Sequence, residues 1–192
     1  MSVQCLFVLL LAKFTAFYLR PMNFRNATHA DLSALDKLVN SAYRGEGSKQ
    51  GWTTEADLLG GVRTSEASLQ KMMDNPDAVI LLAEEGSKLQ GCVYLEHQGV
   101  ALYLGMLTVR PDLQGKGLGA QLMQASEERA RELGCKKIKM TVITVRDELI
   151  AYYGRKGFTD TGKREAFPAD PAFGIPKQPL EFMVMEKAVS GE

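Results

Sequence analysis

Two hydrophobic rhythms follow one another along this chain, and their order predicts its architecture. Leu32, Leu35, Leu38, Val39 and Ala42 recur at the three-and-four spacing of a helix, and Thr28 with Asp31 ahead of them has the form of a capping box. Residues 44–51, with Gly45, Gly47 and Gly51, are expected to lack regular structure. Thr53 or Thr54 can cap a short helix through Leu59, and Thr64 with Ala67 can open another through Met73, before Asn75 and Pro76 stop it. The rhythm then changes to apolar runs at 78–83, 89–95 and 100–109, broken by Glu85-Gly86-Ser87-Lys88 and Gln98-Gly99. These are three consecutive antiparallel strands, a meander. Helical spacing returns with Leu118, Leu122, Ala125, Ala130 and Leu133, closed by Gly134, and is followed by a strand in which Ile138, Met140 and Val142 alternate with Lys137, Lys139 and Thr141. Asp147 and Glu148 suit the first turn of a further helix, Arg155 and Lys156 its last, and Gly157 its end. Strands are expected from Phe158, over 180–187 after a proline-rich excursion, and at the start of the domain from Met22 through Phe24. The pattern is that of an α/β fold, a mixed sheet of about seven strands with about four flanking helices.

Composition narrows the partners. Lys and Arg total 23 and Asp and Glu total 23, so no global field draws the chain to nucleic acid or an acidic membrane, and any anion site must be local. Cys5, Cys92 and Cys135 lack paired spacing, and His29 and His97 lack ligand spacing, so neither a disulfide framework nor a metal is expected. A reducing, cytoplasmic compartment is the corresponding expectation. Residues 1–21 are strongly apolar but split by Lys13, with no positive charge ahead of the apolar run. They fit neither a secretory signal nor a spanning helix well and are read as an extension preceding a domain at 22–192.

Residues 107–119 read Leu-Thr-Val-Arg-Pro-Asp-Leu-Gln-Gly-Lys-Gly-Leu-Gly and join the last meander strand to a helix. Pro111 ends the strand's ladder. A glycine loop feeding a helix N-terminus aims free backbone N–H groups and the positive end of the helix dipole at one spot, which suits a phosphate. The N–H groups of 115–120 are the candidate donors, with Lys116 adding local charge. Spacing then restricts the ligand. Lys116 is followed by Gly117 and no hydroxyl, so a P-loop fails; Gly115, Gly117 and Gly119 are each two apart, so a dinucleotide fingerprint fits poorly. An unrelated nucleotide-binding module is thereby disfavoured. What the chain does contain is Gln-x-x-Gly-x-Gly at Gln114, Gly117 and Gly119.

Preceded by Leu-Thr-Val-Arg-Pro, that segment resembles the signature loop of the GNAT superfamily of acyl-CoA-dependent N-acyltransferases. Tyr152-Tyr153-Gly154-Arg155-Lys156-Gly157-Phe158 resembles the family's Tyr-x-x-x-Gly-Phe segment, and the resemblance extends over 24–187. It implies acetyl-CoA as acyl donor, with the pyrophosphate at Gln114, Gly115, Lys116, Gly117, Leu118, Gly119 and Ala120. It also implies that the pantetheine runs along Leu107, Thr108 and Val109, and that Tyr153 is the general acid. Arg146 stands where many members carry an asparagine, which implies a cationic contact to the cofactor. The implied acceptor is a primary amine on a small molecule or peptide, attacked directly in a ternary complex. Neither nucleic acid nor membrane is expected as a partner; edge strands and the proline-rich loop could support a homodimer. A catalytically silent acyl-CoA-binding sensor on the same fold is the alternative. Glu96 and His97 are candidate bases, and Tyr43, Glu46 and Trp52 candidate walls of an acceptor pocket.

Overall fold

The computed structural model describes residues 22–189; the apolar stretch 1–21 lies outside them. Its central strands are β1 (Asn23–Asn26), β3 (Ala78–Glu85), β4 (Lys88–Gln98), β5 (Ala101–Val109), β6 (Lys137–Ile143), β7 (Thr159–Ala166) and β9 (Glu181–Ala188). They form one seven-stranded sheet in the order β1-β3-β4-β5-β6-β9-β7. All neighbouring pairs are antiparallel except β5 and β6, which are parallel and joined by the helix α4 (Leu118–Glu132). Strand alternation divides the core between two faces. Ile80, Leu82, Cys92 and Tyr94 point to α1 (Leu32–Tyr43) and α3 (Glu66–Met73), where they meet Leu35, Leu38, Val39 and Leu69. Val93, Leu95, Leu102 and Leu104 point the other way, to Leu118, Leu122 and Ala130 of α4 and to the side chains of α5 (Asp147–Arg155).

The expected helices, meander and crossover are present apart from one helix, and the differences are instructive. The capping box exists, with Thr28 N–H and Oγ1 both on Asp31 Oδ2 (2.8 and 3.0 Å), but it opens a 3-10 turn that runs into α1. Residues 44–51 include a one-turn helix, α2 (Gly45–Ser48), because the Ser48 hydroxyl meets Gly45 O (2.7 Å) and Thr54 Oγ1 (2.5 Å). Residues 53–59 form no helix. They make a turn ending in β2 (Leu59–Gly60), which pairs with β8 (Ile175–Pro176), a strand from the far end of the chain. Ser65, not Thr64, caps α3, by accepting a bond from Ser68 N–H (3.2 Å). The last strand does not lie at the sheet's edge. It enters between β6 and β7, leaving β7, exposed along its whole length, as the edge.

Candidate active site

The sheet opens where β5 leaves β6. The two pair in register only at residues 101–103, while β4 follows β5 as far as Val109. Cys92 and Tyr94, two apart on β4, face Thr108 and Gly105, three apart on β5, so β5 carries one extra residue. Met106 absorbs it with φ 49°, a left-handed conformation that non-glycine residues seldom adopt. The bulge re-aims the strand end, and the backbone of 104–109 is left without a strand partner on its β6 side.

A cleft of about 230 Å³ lies along this free edge. Its walls are Leu107 and Val109 from β5, Gly115, Gly117, Gly119 and Ala120 from the glycine loop, and Leu149, Tyr152 and Tyr153 from α5. Gly115 and Gly117 take φ 76° and 91°, and Gly117 is the N-cap of the 15-residue α4. Among the described residues no backbone bond takes the N–H of Gly115, Lys116 or Gly117, whereas that of Ala120 is used by Gly117 O (3.0 Å). The run of unbonded N–H groups is therefore shorter than 115–120. Thr108 faces away, its hydroxyl on Met106 O (2.9 Å), and Leu118 is in the core, so both can serve the cleft with backbone alone. Lys116 is exposed, with Nζ on Asp112 O (2.9 Å).

Gln114 and Arg146 occupy themselves with another segment, the loop 52–54. Gln114 Oε1 accepts from the N–H groups of Trp52 (2.9 Å) and Thr53 (3.3 Å), while Nε2 donates to Thr53 Oγ1 (2.8 Å) and Val109 O (3.0 Å). A side chain on Gly51 would collide with this amide, within 2.8 Å. The buried Arg146 guanidinium donates to the carbonyls of Trp52 (3.0 Å), Thr53 (3.4 Å) and Thr54 (2.9 Å) and pairs with Glu148. One residue thus holds the loop's N–H groups and the other its carbonyls. Both residues also line the clefts, Gln114 the first and Arg146 the second, while their amide and guanidinium groups make these bonds within the protein.

A second cleft, of about 390 Å³, opens on the other side of the strand end and shares Leu107, Leu149 and Tyr153 with the first. Tyr43 lines it and donates its hydroxyl to Leu107 O (2.5 Å). Burial pushes the Tyr43 phenol up to about 12. Tyr153, enclosed where the clefts meet, is pushed well above the ordinary phenol range, first by burial and then by the neighbouring Tyr43 and Tyr152. It stays protonated throughout the physiological range, the state required of an acid. Tyr152 stands beside it edge-on (5.4 Å between centroids), with Trp52 edge-on to Tyr152 (5.2 Å).

The other candidates separate. Trp52 lines the first cleft, not the second, and Glu46 is 88 % exposed and paired with Lys49. Glu96 lies at a further cavity on the second-cleft side and accepts from Tyr94 Oη (2.9 Å). His97, its neighbour on β4, points to the opposite face and lines another cavity together with Arg129 and Leu133 of α4 and its end. Three groups line the clefts without a motif to announce them. Lys156, in the first cleft, lies over the Tyr152 ring (5.8 Å), and its spacing of four from Tyr152 was the available signal. Glu55 and Arg63 line the second cleft from a loop whose sequence carries no signal of that position. Among the described residues no group of acidic, His and Cys side chains could hold a metal, and no helix is long and apolar enough to cross a membrane.

Residues 49–158, containing the glycine loop, the crossover and α5, match the model of the Acetyltransferase (GNAT) family. The chain belongs to the GNAT family. As a GNAT acetyltransferase it shares its fold with the ribosomal-protein-S18-alanine N-acetyltransferase of Escherichia coli. That likeness has TM-score 0.66 and 14% identity and covers 90% of this chain and 96% of that one. It is also similar to yncA from Salmonella typhimurium, solved with acetyl-CoA (TM-score 0.60, 19% identity, 90% and 96% covered). A third likeness is PaiA N-acetyltransferase from Thermoplasma acidophilum, solved with coenzyme A (TM-score 0.61, 19% identity, 88% and 99% covered). At these identities the likenesses speak to the fold, and it is the mixed seven-stranded sheet of this family.

Proposed function

We propose that this GNAT acetyltransferase moves an acetyl group from acetyl-CoA to a primary amine by direct attack, with both substrates bound at once. The observation that carries this reading is that two clefts meet at Leu107 and Tyr153. The first cleft fits the donor. The free N–H groups of Gly115, Lys116 and Gly117 and the start of α4 suit a pyrophosphate, Lys156 supplies charge, and the open β5 edge at Leu107 and Val109 suits the pantetheine amides. The second cleft takes the acceptor.

The neutral amine's lone pair forms the C–N bond at the thioester carbonyl, the C–S bond breaks and Tyr153 Oη gives its proton to the departing sulfur; the proton that the nitrogen releases passes to solvent, from which Tyr153 regains its own. The bulge at Met106 turns backbone toward that carbonyl, where an N–H near Leu107 can stabilise the oxyanion. Gln114 and Arg146 act at one remove: Gln114 holds loop 52–54 to the end of β5 and Arg146 holds it to the start of α5, and together they set the width of the donor cleft. Calorimetry with acetyl-CoA and coenzyme A tests the donor assignment, and absence of binding refutes it. Tyr153→Phe tests the chemistry. Turnover is expected to fall about 100-fold, the scale of general acid catalysis, with acetyl-CoA affinity unchanged; undiminished turnover removes Tyr153 from the mechanism.

A further inference from the structure

The second cleft continues into a chamber of about 510 Å³, and the two share Arg63, Tyr103, Gly105, Met106 and Phe173. One groove therefore runs from the Leu107–Tyr153 junction past Arg63 into the chamber. Arg63 is the charge at its waist. Its guanidinium lies over the Tyr43 ring, 5.4 Å from the centroid, one ring away from the Leu107 carbonyl that Tyr43 touches. Arg63 Nε is 3.8 Å from Glu55 Oε2, beyond hydrogen-bond range, and Glu55 takes its direct bond (2.5 Å) from Arg44. Arg44 and Arg63 thus share one carboxylate and only Arg44 is hydrogen-bonded to it, while the chamber beyond is lined by Lys71, Glu96 and Asp170. Among the described residues the hydrogen bond that Arg63 makes is from its backbone N–H, to Asn40 Oδ1 (2.7 Å), although its side chain is only 27 % exposed. Of the other cations of the groove, Arg146 is taken by the loop carbonyls and Lys139 by Glu165, and Lys71 on the chamber wall is exposed, which leaves Arg63, among the described residues, as the half-buried one without a hydrogen-bonded anion.

A planar fork of N–H donors, largely sunk in a groove and hydrogen-bonded to no acceptor there, matches a carboxylate. We propose that the acceptor is an amino acid, and that Arg63 binds its carboxylate while its amino group lies at the Leu107–Tyr153 junction. This rests on the N-acetyltransferase reading above. The acceptor's side chain extends into the chamber, against Met72, Tyr94 and Tyr103. Other amine classes fit worse. A polyamine offers no anion to the Arg63 guanidinium, and a peptide N-terminus offers it only a neutral amide. Arg63 is a specificity-determining residue in this scheme and takes no part in bond making.

The test is acetyl-CoA consumption with α-, β- and γ-amino acids, their carboxamides and the decarboxylated amines, on the unaltered protein and on Arg63→Met and Arg63→Lys. Amino acids are expected to exceed the matched neutral and cationic amines at least tenfold in kcat/KM. Arg63→Met should raise their KM about tenfold or more, as expected for loss of a charge-assisted bond, and leave kcat and acetyl-CoA affinity in place. Arg63→Lys should recover part of the loss. Equal or better turnover of carboxamides or amines, or an unchanged KM in Arg63→Met, overturns the proposal. A titration that needs no turnover tests the same site separately: N-acetyl amino acids should bind, their N-acetyl amides should not, and Arg63→Met should bind neither. Binding of both classes, or of neither, by the unaltered protein overturns the carboxylate site. Failure of acetyl-CoA to bind refutes the donor reading instead, and the titration still tests Arg63.

Discussion

Replacing Gln114 by alanine separates two roles for this residue. Were its amide a cofactor ligand, the substitution would weaken acetyl-CoA binding and leave the empty protein's stability alone. In the structure the amide is used within the protein, on Trp52 N–H, Thr53 N–H, Thr53 Oγ1 and the carbonyl of the buried Val109. Each such bond contributes about 0.5–1.5 kcal/mol net, so losing three good ones and one long one costs roughly 3 kcal/mol. For a chain of this size each kcal/mol moves the melting temperature by about 2–4 °C, which gives a fall of roughly 6–12 °C in the absence of any ligand. Thermal unfolding followed by circular dichroism measures this, and calorimetry measures the accompanying loss of acetyl-CoA affinity as loop 52–54 drifts from β5. A melting temperature within about 1 °C of the unaltered protein's would refute the reasoning, since the bonds would then contribute nothing.

Arg146→Met should lower the urea midpoint, by about 2–4 kcal/mol in stability, because three loop carbonyls lose a charged donor, with Arg146→Lys intermediate. A Cβ at Gly117 meets no atom within 4 Å, so the effect of Gly117→Val is first conformational: at φ 91° a side chain costs about 1–2 kcal/mol, and relaxing that strain turns the loop N–H groups away. Acetyl-CoA affinity should drop at least tenfold by calorimetry, and an intact affinity would exclude the loop from the donor site. Burial holds Cys92 and Tyr43 at about 12, above their ordinary 9.0 and 10.0. Both acids are neutral at low pH and the unfolded chain ionises first, so their contribution is complete below about 9 and is lost as pH rises toward 12. Urea midpoints should fall across that window, and Cys92→Ala should flatten the slope at its lower end.

The GNAT fold was legible because it is written in local signals: the change from helical to strand rhythm, Pro111 ending β5, the glycines that permit positive φ at 115 and 117, and Gly134 and Gly157 closing helices. The loop proposed for the donor was legible for the same reason, since it is a single contiguous stretch of backbone. Side-chain roles were not. Gln114 and Arg146 stand in positions that resemble cofactor contacts, yet their partners lie some sixty and ninety residues away, in a loop with no recognisable pattern. Glu96 and His97 are adjacent in sequence and on opposite faces of the sheet, a consequence of strand geometry that spacing does predict once the strand's orientation is known. The chain order alone could not show β9 entering between β6 and β7, because that pairing depends on which strand edges remain unpaired once the others have formed. By itself the sequence determined the order of elements and the backbone that can hold an acyl donor, both local properties. Tertiary structure alone decided the bulge at Met106, the meeting of two clefts at Tyr153 and the place of the Arg63 guanidinium at the waist of the groove, because each depends on distant segments converging at one strand end.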